Sequence, residues 1–192
     1  MPRRPRIDFE NAWHHVINRG AARKRVFDDH WDYDCFLSSV AEASFRTNTE
    51  VHAYCLMSNH FHLLIRSREG RLSEFMKFLS GRFTRLRNIR RNEDGPIFKG
   101  RFWSSLIESD AYLMQASRYI HLNPVDAGLV RSAEAWPWSS AGFYLGHCQP
   151  KAWLTTAELL SIFSPSPEPK DYADYLAEGV DAETLNRYAD AM

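Results

Sequence analysis

Residues 54–66 read YCLMSNHFHLLIR, and the reading of this stretch decides the fold. EVHAYCLM (50–57) and HFHLLIR (60–66) each have strand character. Ser58-Asn59 between them is short enough for a hairpin turn, although the favoured glycine is missing. Side chains alternate along a strand, so residues two apart share a face. Phe61, Leu63 and Ile65 therefore point one way, and His60, His62, Leu64 and Arg66 the other. The first set suits a core. The second places two imidazoles on the opposite face, spaced so that both can meet one metal ion. Two satisfied or surface histidines would give the same pattern, and H-x-H alone is a weak signal.

Working outward, NAWHHVIN (11–18) is β-branched and aromatic, as a strand requires. A helical pattern runs from about Asp29 to Phe45 through Tyr33, Phe36, Leu37, Val40, Ala41 and Ala43, with Asp28 or Asp29 as cap. In 71–91, Leu72, Phe75, Met76, Leu79, Phe83 and Leu86 form an apolar stripe, with Arg85, Arg87 and Arg91 off it. NEDGP (92–96) stops that helix. RFWSSLIES (101–109) is a strand, and Asp110 opens a helix to about Leu122, because Pro124 disfavours helical geometry at Asn123. The order β-α-β-β-α-β-α predicts an α+β fold: a ferredoxin-like, RRM-like βαββαβ antiparallel sheet. Both crossover helices cover one face, and the helix over 110–122 is the candidate for the open one.

Residues 1–146 form the expected domain and 147–192 an acidic extension, partly helical or mobile. WPWSSAGFYLG (136–146) should pack on the body through its aromatics, SPSPEPK (164–170) reads as a linker, and Thr155 and Glu158 have capping-box spacing. Residues 1–131 carry 21 Lys and Arg against 15 Asp and Glu, and residues 132–192 carry 3 against 9. The net charge of zero thus hides a basic body and an acidic tail, which suggests a polyanion partner. The tail could cover the basic groove. Three cysteines without a CxxC pair argue against a disulfide framework and fit a reducing cytoplasm. No run approaches a membrane span, and MPRRPRIDFE is followed by no apolar segment of a signal peptide.

SRYIHLNPV sets Tyr119 and Asn123 four residues apart, on one helix face. Tyr119 offers a nucleophilic phenol and Asn123 a neutral amide oxygen acceptable to Mg²⁺ or Mn²⁺. A packed tyrosine and a helix-capping asparagine are the competing reading. SNHFHLLIR, FKGRFWSSLIESDAYL and RYIHLNPVDAGLV followed by WPWSS resemble, in this order, the REP-associated tyrosine transposases. These are relatives of the single-tyrosine HUH transposases of small bacterial insertion sequences. The resemblance spans about residues 8–146.

It implies a metal-dependent single-stranded DNA endonuclease and strand transferase. The substrates would be hairpins of repetitive extragenic palindromes, and the intermediate a 5′-phosphotyrosine. His60 and His62 would be metal ligands, Asn123 the third ligand, Tyr119 the nucleophile, and Mg²⁺ or Mn²⁺ the ion. Some relatives carry glutamine at the third ligand. Tyr112, about two turns earlier, competes with Tyr119 but lacks the YxxxN pattern. Arg19, Arg23, Lys24, Arg25, Lys99 and Arg101 could hold phosphates, and Trp13, Phe102 and Trp103 could stack on bases. The histidines must be neutral to bind, so activity should fall below about pH 6. A bacterial cytoplasmic, nucleoid-associated protein acting as monomer or homodimer is expected. Two other readings remain. His14, His15, His52 and His121 could join His60 and His62 in a zinc site, or the sheet could be a non-catalytic hairpin-binding module.

Overall fold

The computed structural model describes residues 6–163 and 168–189. The middle of the expected linker, residues 164–167, lies outside them. The elements are β1 (Ala12–Arg19), α1 (His30–Thr47), β2 (Thr49–Leu56), β3 (His60–Ser67), α2 (Leu72–Arg91), β4 (Trp103–Ile107), α3 (Asp110–Asp126), α4 (Ala141–Tyr144), α5 (Ala157–Leu160), α6 (Pro169–Ala177) and α7 (Ala182–Ala189). The antiparallel sheet has the order β2-β3-β1-β4, the expected split βαβ topology.

The alternation in β3 divides the molecule. Phe61, Leu63 and Ile65 join Val16, Val51, Tyr54 and Leu56 beneath α1 and α2, where Phe27, Phe36, Phe75 and Phe83 complete one core. Leu64 joins Ile17, Ala53 and Cys55 on the other face, against Leu113, Ala116, Tyr119 and Ile120 of α3. That second layer continues through Tyr144, Leu159, Tyr172, Leu176 and Tyr188, so α4 to α7 pack on the same face. The aromatics of 136–146 pack as expected: Trp138 stacks on Tyr33 with ring centroids 4.3 Å apart.

Asp29 caps α1, accepting from the Asp32 amide at 3.2 Å. Arg87 lies off the apolar stripe, as expected, yet is not solvated. It is buried and pairs with Asp28 at 2.7 Å and Glu93 at 3.0 Å, while Arg91 reaches the buried Asp32 at 2.6 Å. Acidic groups at the start of α1 thus meet basic groups at the end of α2, each favoured by its helix dipole.

Three local expectations are corrected. Ser109, not Asp110, caps α3, accepting from the Tyr112 amide at 3.2 Å. Helix α3 runs through Pro124 to Asp126 instead of stopping at Leu122. A proline there removes one amide donor in the last turn, and the burial of Asn123 and Pro124 outweighs that loss. Thr155 and Glu158 form no capping box. Thr156 is the N-cap without a side-chain bond, and Glu158 instead reaches Arg66 at 2.5 Å.

Candidate active site

The face under α3 brings His60, His62, Tyr119 and Asn123 together. His62 is fully buried and His60 nearly so, with ring centroids 5.0 Å apart. His60 Nδ1 lies 2.7 Å from Asn59 Oδ1, to which its N–H donates. His62 Nδ1 lies 3.1 Å from His15 Nε2. In the tautomer in which His62 donates to His15, both Nε2 atoms carry lone pairs. Those two Nε2 atoms are buried and have no hydrogen-bond partner. An unsatisfied buried polar atom costs about 1–3 kcal/mol, so a pair of them on one face calls for an occupant. Burial pushes the His60 pKa down to about 4 and that of His62 well below its usual value. Both are therefore neutral at physiological pH, the state a metal requires. The expected loss of activity below pH 6 moves downward accordingly, because burial disfavours the charged imidazole.

Helix α3 supplies the other half. The Tyr119 ring stands edge-on to His62, centroids 5.4 Å apart and planes at 82°. One turn later the buried Asn123 amide approaches both His60 and the Tyr119 hydroxyl, without hydrogen-bond geometry at His60 Nε2. Burial raises the Tyr119 pKa, and the Asn123 contact offsets part of the rise. The residues fit a divalent ion: two neutral imidazoles and an amide oxygen retain its full charge and leave positions open for phosphate oxygens. Tyr112 is placed differently. Its hydroxyl pairs with Ser105 Oγ at 2.7 Å and its ring lies under Arg187.

Of the other histidines, His15 alone has a recorded bond to this pair. His121 has both nitrogens engaged, by Tyr172 at 2.5 Å and Ser140 at 2.6 Å. His14 pairs with Asp8 at 3.0 Å. His52 lies farther along the sheet against Trp13, where Glu50, His52 and Glu158 form a separate group able to hold a metal ion.

Of the basic candidates, Arg19 and Arg23 lie at the His60 end, whereas Lys24 and Arg25 line a separate pocket with Arg87 and Glu93. Gly20 links the first loop to the hairpin turn through its amide to Asn59 O at 2.8 Å. A Cβ at Gly20 would lie 2.1 Å from Lys24 O, so the tight loop requires glycine. Ala21 bonds to Ile97 O and Lys99 to Arg19 O, which draws the segment 97–101 alongside. Arg19, Arg23, Asn59 and His60 line a pocket of about 270 Å³. One buried Arg19 nitrogen, Nη1, has no hydrogen-bond partner. Lys24, Lys99 and Arg101 are exposed nearby in sequence, whereas Arg25 pairs with Asp28 at 3.1 Å. Among the aromatics, Trp103 stands 6.0 Å from His15, Phe102 lies under Arg6, and Trp13 packs on His52 at the opposite end of β1.

Beyond the expectation that the tail could cover the groove, the sequence does not single out the residue that lies over Tyr119. Tyr188 of α7 is fully buried, with its ring 4.6 Å from Tyr119 and 4.4 Å from His15. Its hydroxyl is buried beside Tyr112, and burial, with that neighbour, drives its pKa far up. The available signal was Thr184 and Tyr188, four residues apart and both buried on one side of a helix otherwise mostly exposed.

Comparison with known proteins follows the same outline. The family model for IS200-like transposases matches residues 8–123, which contain all four central residues. A Haemophilus influenzae protein named as a candidate REP-associated tyrosine transposase is 31% identical over 102 residues, covering 47% of this chain. The chain spans 58% of that relative's length. A REP-associated tyrosine transposase solved with a REP hairpin superposes with a TM-score of 0.66 at 18% identity, over 81% of this chain and 92% of that one, which establishes the shared fold. With its family model spanning more than half its length and its fold matching, the chain belongs to the IS200-like transposase family.

Proposed function

We propose that this protein is a divalent-metal-dependent nuclease and strand transferase acting on hairpin-bearing single-stranded DNA. The observation that carries the reading is the pair of buried, unpartnered Nε2 atoms of His60 and His62, facing Tyr119 and Asn123. Mg²⁺ or Mn²⁺ held by His60, His62 and Asn123 would polarise the scissile phosphate and offset its developing charge. Tyr119 attacks phosphorus in line. Its phenolic proton is lost, the bond to the 3′ oxygen breaks, and that oxygen leaves as a hydroxyl. The product is a 5′-phosphotyrosine, and a later 3′-hydroxyl can reverse the exchange without ATP. Burial disfavours a free phenolate, so Asn123 matters for the Tyr119 oxygen as well as for the ion. Arg19 and Arg23 hold the flanking phosphates in the pocket beside His60.

REP-type palindromes are the substrate class, on the strength of the relatives' names. A bacterial cytoplasmic, nucleoid-associated protein working as monomer or homodimer is consistent with this role. No helix among the described residues is long and apolar enough to cross a membrane. The test is to incubate wild type, Tyr119→Phe, Tyr112→Phe and His62→Ala with labelled hairpin DNA and Mn²⁺ or Mg²⁺, then run a denaturing gel. Adduct is expected from wild type and Tyr112→Phe only. Hairpin binding without adduct in every sample would favour the non-catalytic binding module instead.

A further inference from the structure

We propose a second metal site, distinct from the nuclease centre, in which Glu50, His52 and Glu158 hold one Zn²⁺ ion that clamps the C-terminal extension to the edge of the sheet. It lies toward the other end of the same face: Glu50 pairs with Arg66 in the sheet register, whereas His60 pairs with Arg19. The register of β2 against β3 shifts between Val51 and Ala53, so His52 is the extra residue of a bulge. Bulges re-aim side chains, and this one turns His52 onto Trp13, with ring centroids 4.2 Å apart.

The His52 side chain is fully buried, yet neither ring nitrogen has a hydrogen-bond partner. Its Nε2 lies 3.5 Å from Glu50 Oε2, too long for a well-formed hydrogen bond but close enough that His52, with Arg68, holds the Glu50 carboxyl below its usual range, and neither atom has a nearer partner. Glu158 enters from α5, and one ligand atom from each of the three residues lies within 4.8 Å of the others. Two arginines orient the carboxylates from outside. Arg68 takes Glu50 Oε1 at 2.9 Å and Arg66 takes Glu158 Oε1 at 2.5 Å, leaving the second oxygen of each for a ligand. Such outer partners fix the geometry of metal-bound carboxylates.

The chemistry selects the ion. Mg²⁺ and Ca²⁺ take sets made almost wholly of oxygen, so the buried imidazole points away from them. One imidazole and two carboxylate oxygens, with water in fourth position, suit Zn²⁺. The site joins segments already in register, since Thr155 donates to Val51 O at 2.9 Å. An ion there fixes the start of the chain that leads through α6 to α7 and Tyr188.

The experiment titrates metal-stripped full-length protein with Zn²⁺ against a chromophoric chelator, for wild type, His52→Gln, Glu158→Gln and His62→Ala. Amide exchange of residues 157–160 is followed with and without zinc. Glu158 sits near the surface, so Glu158→Gln keeps the fold even if His52→Gln does not. His62→Ala should retain one tight zinc equivalent, and Glu158→Gln should weaken it at least about tenfold. Zinc should slow exchange in α5 of wild type but not of Glu158→Gln. Wild-type zinc affinity in Glu158→Gln, or loss of all tight zinc in His62→Ala, would overturn the proposal. Neither outcome depends on DNA cleavage.

Discussion

The two faces of the sheet are equally dry and chemically opposite. Under α1 and α2 lie Phe27, Phe36, Phe61, Phe75 and Phe83, all fully buried, with Phe27, Phe36, Phe61 and Phe83 packed edge to face or tilted on one another. Under α3 lie His15, His52, His60 and His62, each with at least one buried nitrogen lacking a partner. Burial contributes stability on the first face. On the second it costs stability, because polar atoms left water without gaining partners. The contrast teaches that a single strand, β3, serves both ends through its alternation, and that the costly face is where ligands are expected.

Breaking the contrast at His62 should give the largest effect. His62→Leu removes the orphaned imidazole, and adduct formation should vanish in a gel assay. Urea unfolding should meanwhile show unchanged stability or a gain of up to about 2 kcal/mol. The mirror substitution is Phe61→Ala, one residue away on the other face. It should cost about 3–5 kcal/mol in the same urea titration. Equal losses from both would mean the faces are not divided as described.

A change of pH sharpens the comparison without mutation. Burial depresses His60 to about 4, His15 and His121 to about 3, and His62 well below its usual value. Below about pH 6.5 the unfolded chain therefore binds protons that the folded chain refuses, and stability falls as pH falls. Each such histidine contributes at most about 1.4 kcal/mol per pH unit between its unfolded and folded values. For His60 that window closes near pH 4. Melting temperatures from pH 8 to 4 should be flat above 7 and then decline. Cleavage by protein that is still folded should persist at pH 5.5, whereas a sharp loss near 6.5 would show that the histidines titrate freely.

The smallest expected effect concerns the cover. Removing α7 by ending the chain after Gly179 takes Tyr188 off Tyr119 while leaving Tyr172 and Leu176 of α6 in place. Adduct formation should rise several-fold, and hairpin binding should tighten. Unchanged rates would mean that α7 already yields freely to DNA.

Much of this was legible in residues 54–66, since strict alternation has few alternatives once one set is Phe-Leu-Ile. A cap at Asp28 or Asp29, and a helix after the fourth strand on the open face, followed from equally local signals. Other features depended on packing between distant segments. Pro124 looked like a helix stop because its local preference is clear, whereas the burial of Asn123 that overrides it belongs to the assembled sheet and helix. Glu158 and Thr155 matched a capping box by spacing, but Arg66, far away in sequence, claims the carboxylate. Tyr188 lay in a short acidic segment whose apolar face is only two residues wide. Spacing alone left the four central residues with ordinary packing readings, and the family resemblance singled them out; the structure brings them to one face. Their protonation state was not legible in the sequence, because it is set by how completely α3 and α7 bury them.

The central claim, that Tyr119 is the nucleophile beside a His60–His62 metal pair, is tested most directly by locating the covalent bond. Wild-type protein is reacted with hairpin DNA and Mn²⁺, digested with protease and nuclease, and mapped by mass spectrometry. A 5′-phosphonucleotide is expected on Tyr119, and it should disappear when chelator replaces Mn²⁺. An adduct on Tyr112 or Tyr188, or one formed equally well in chelator, would contradict it.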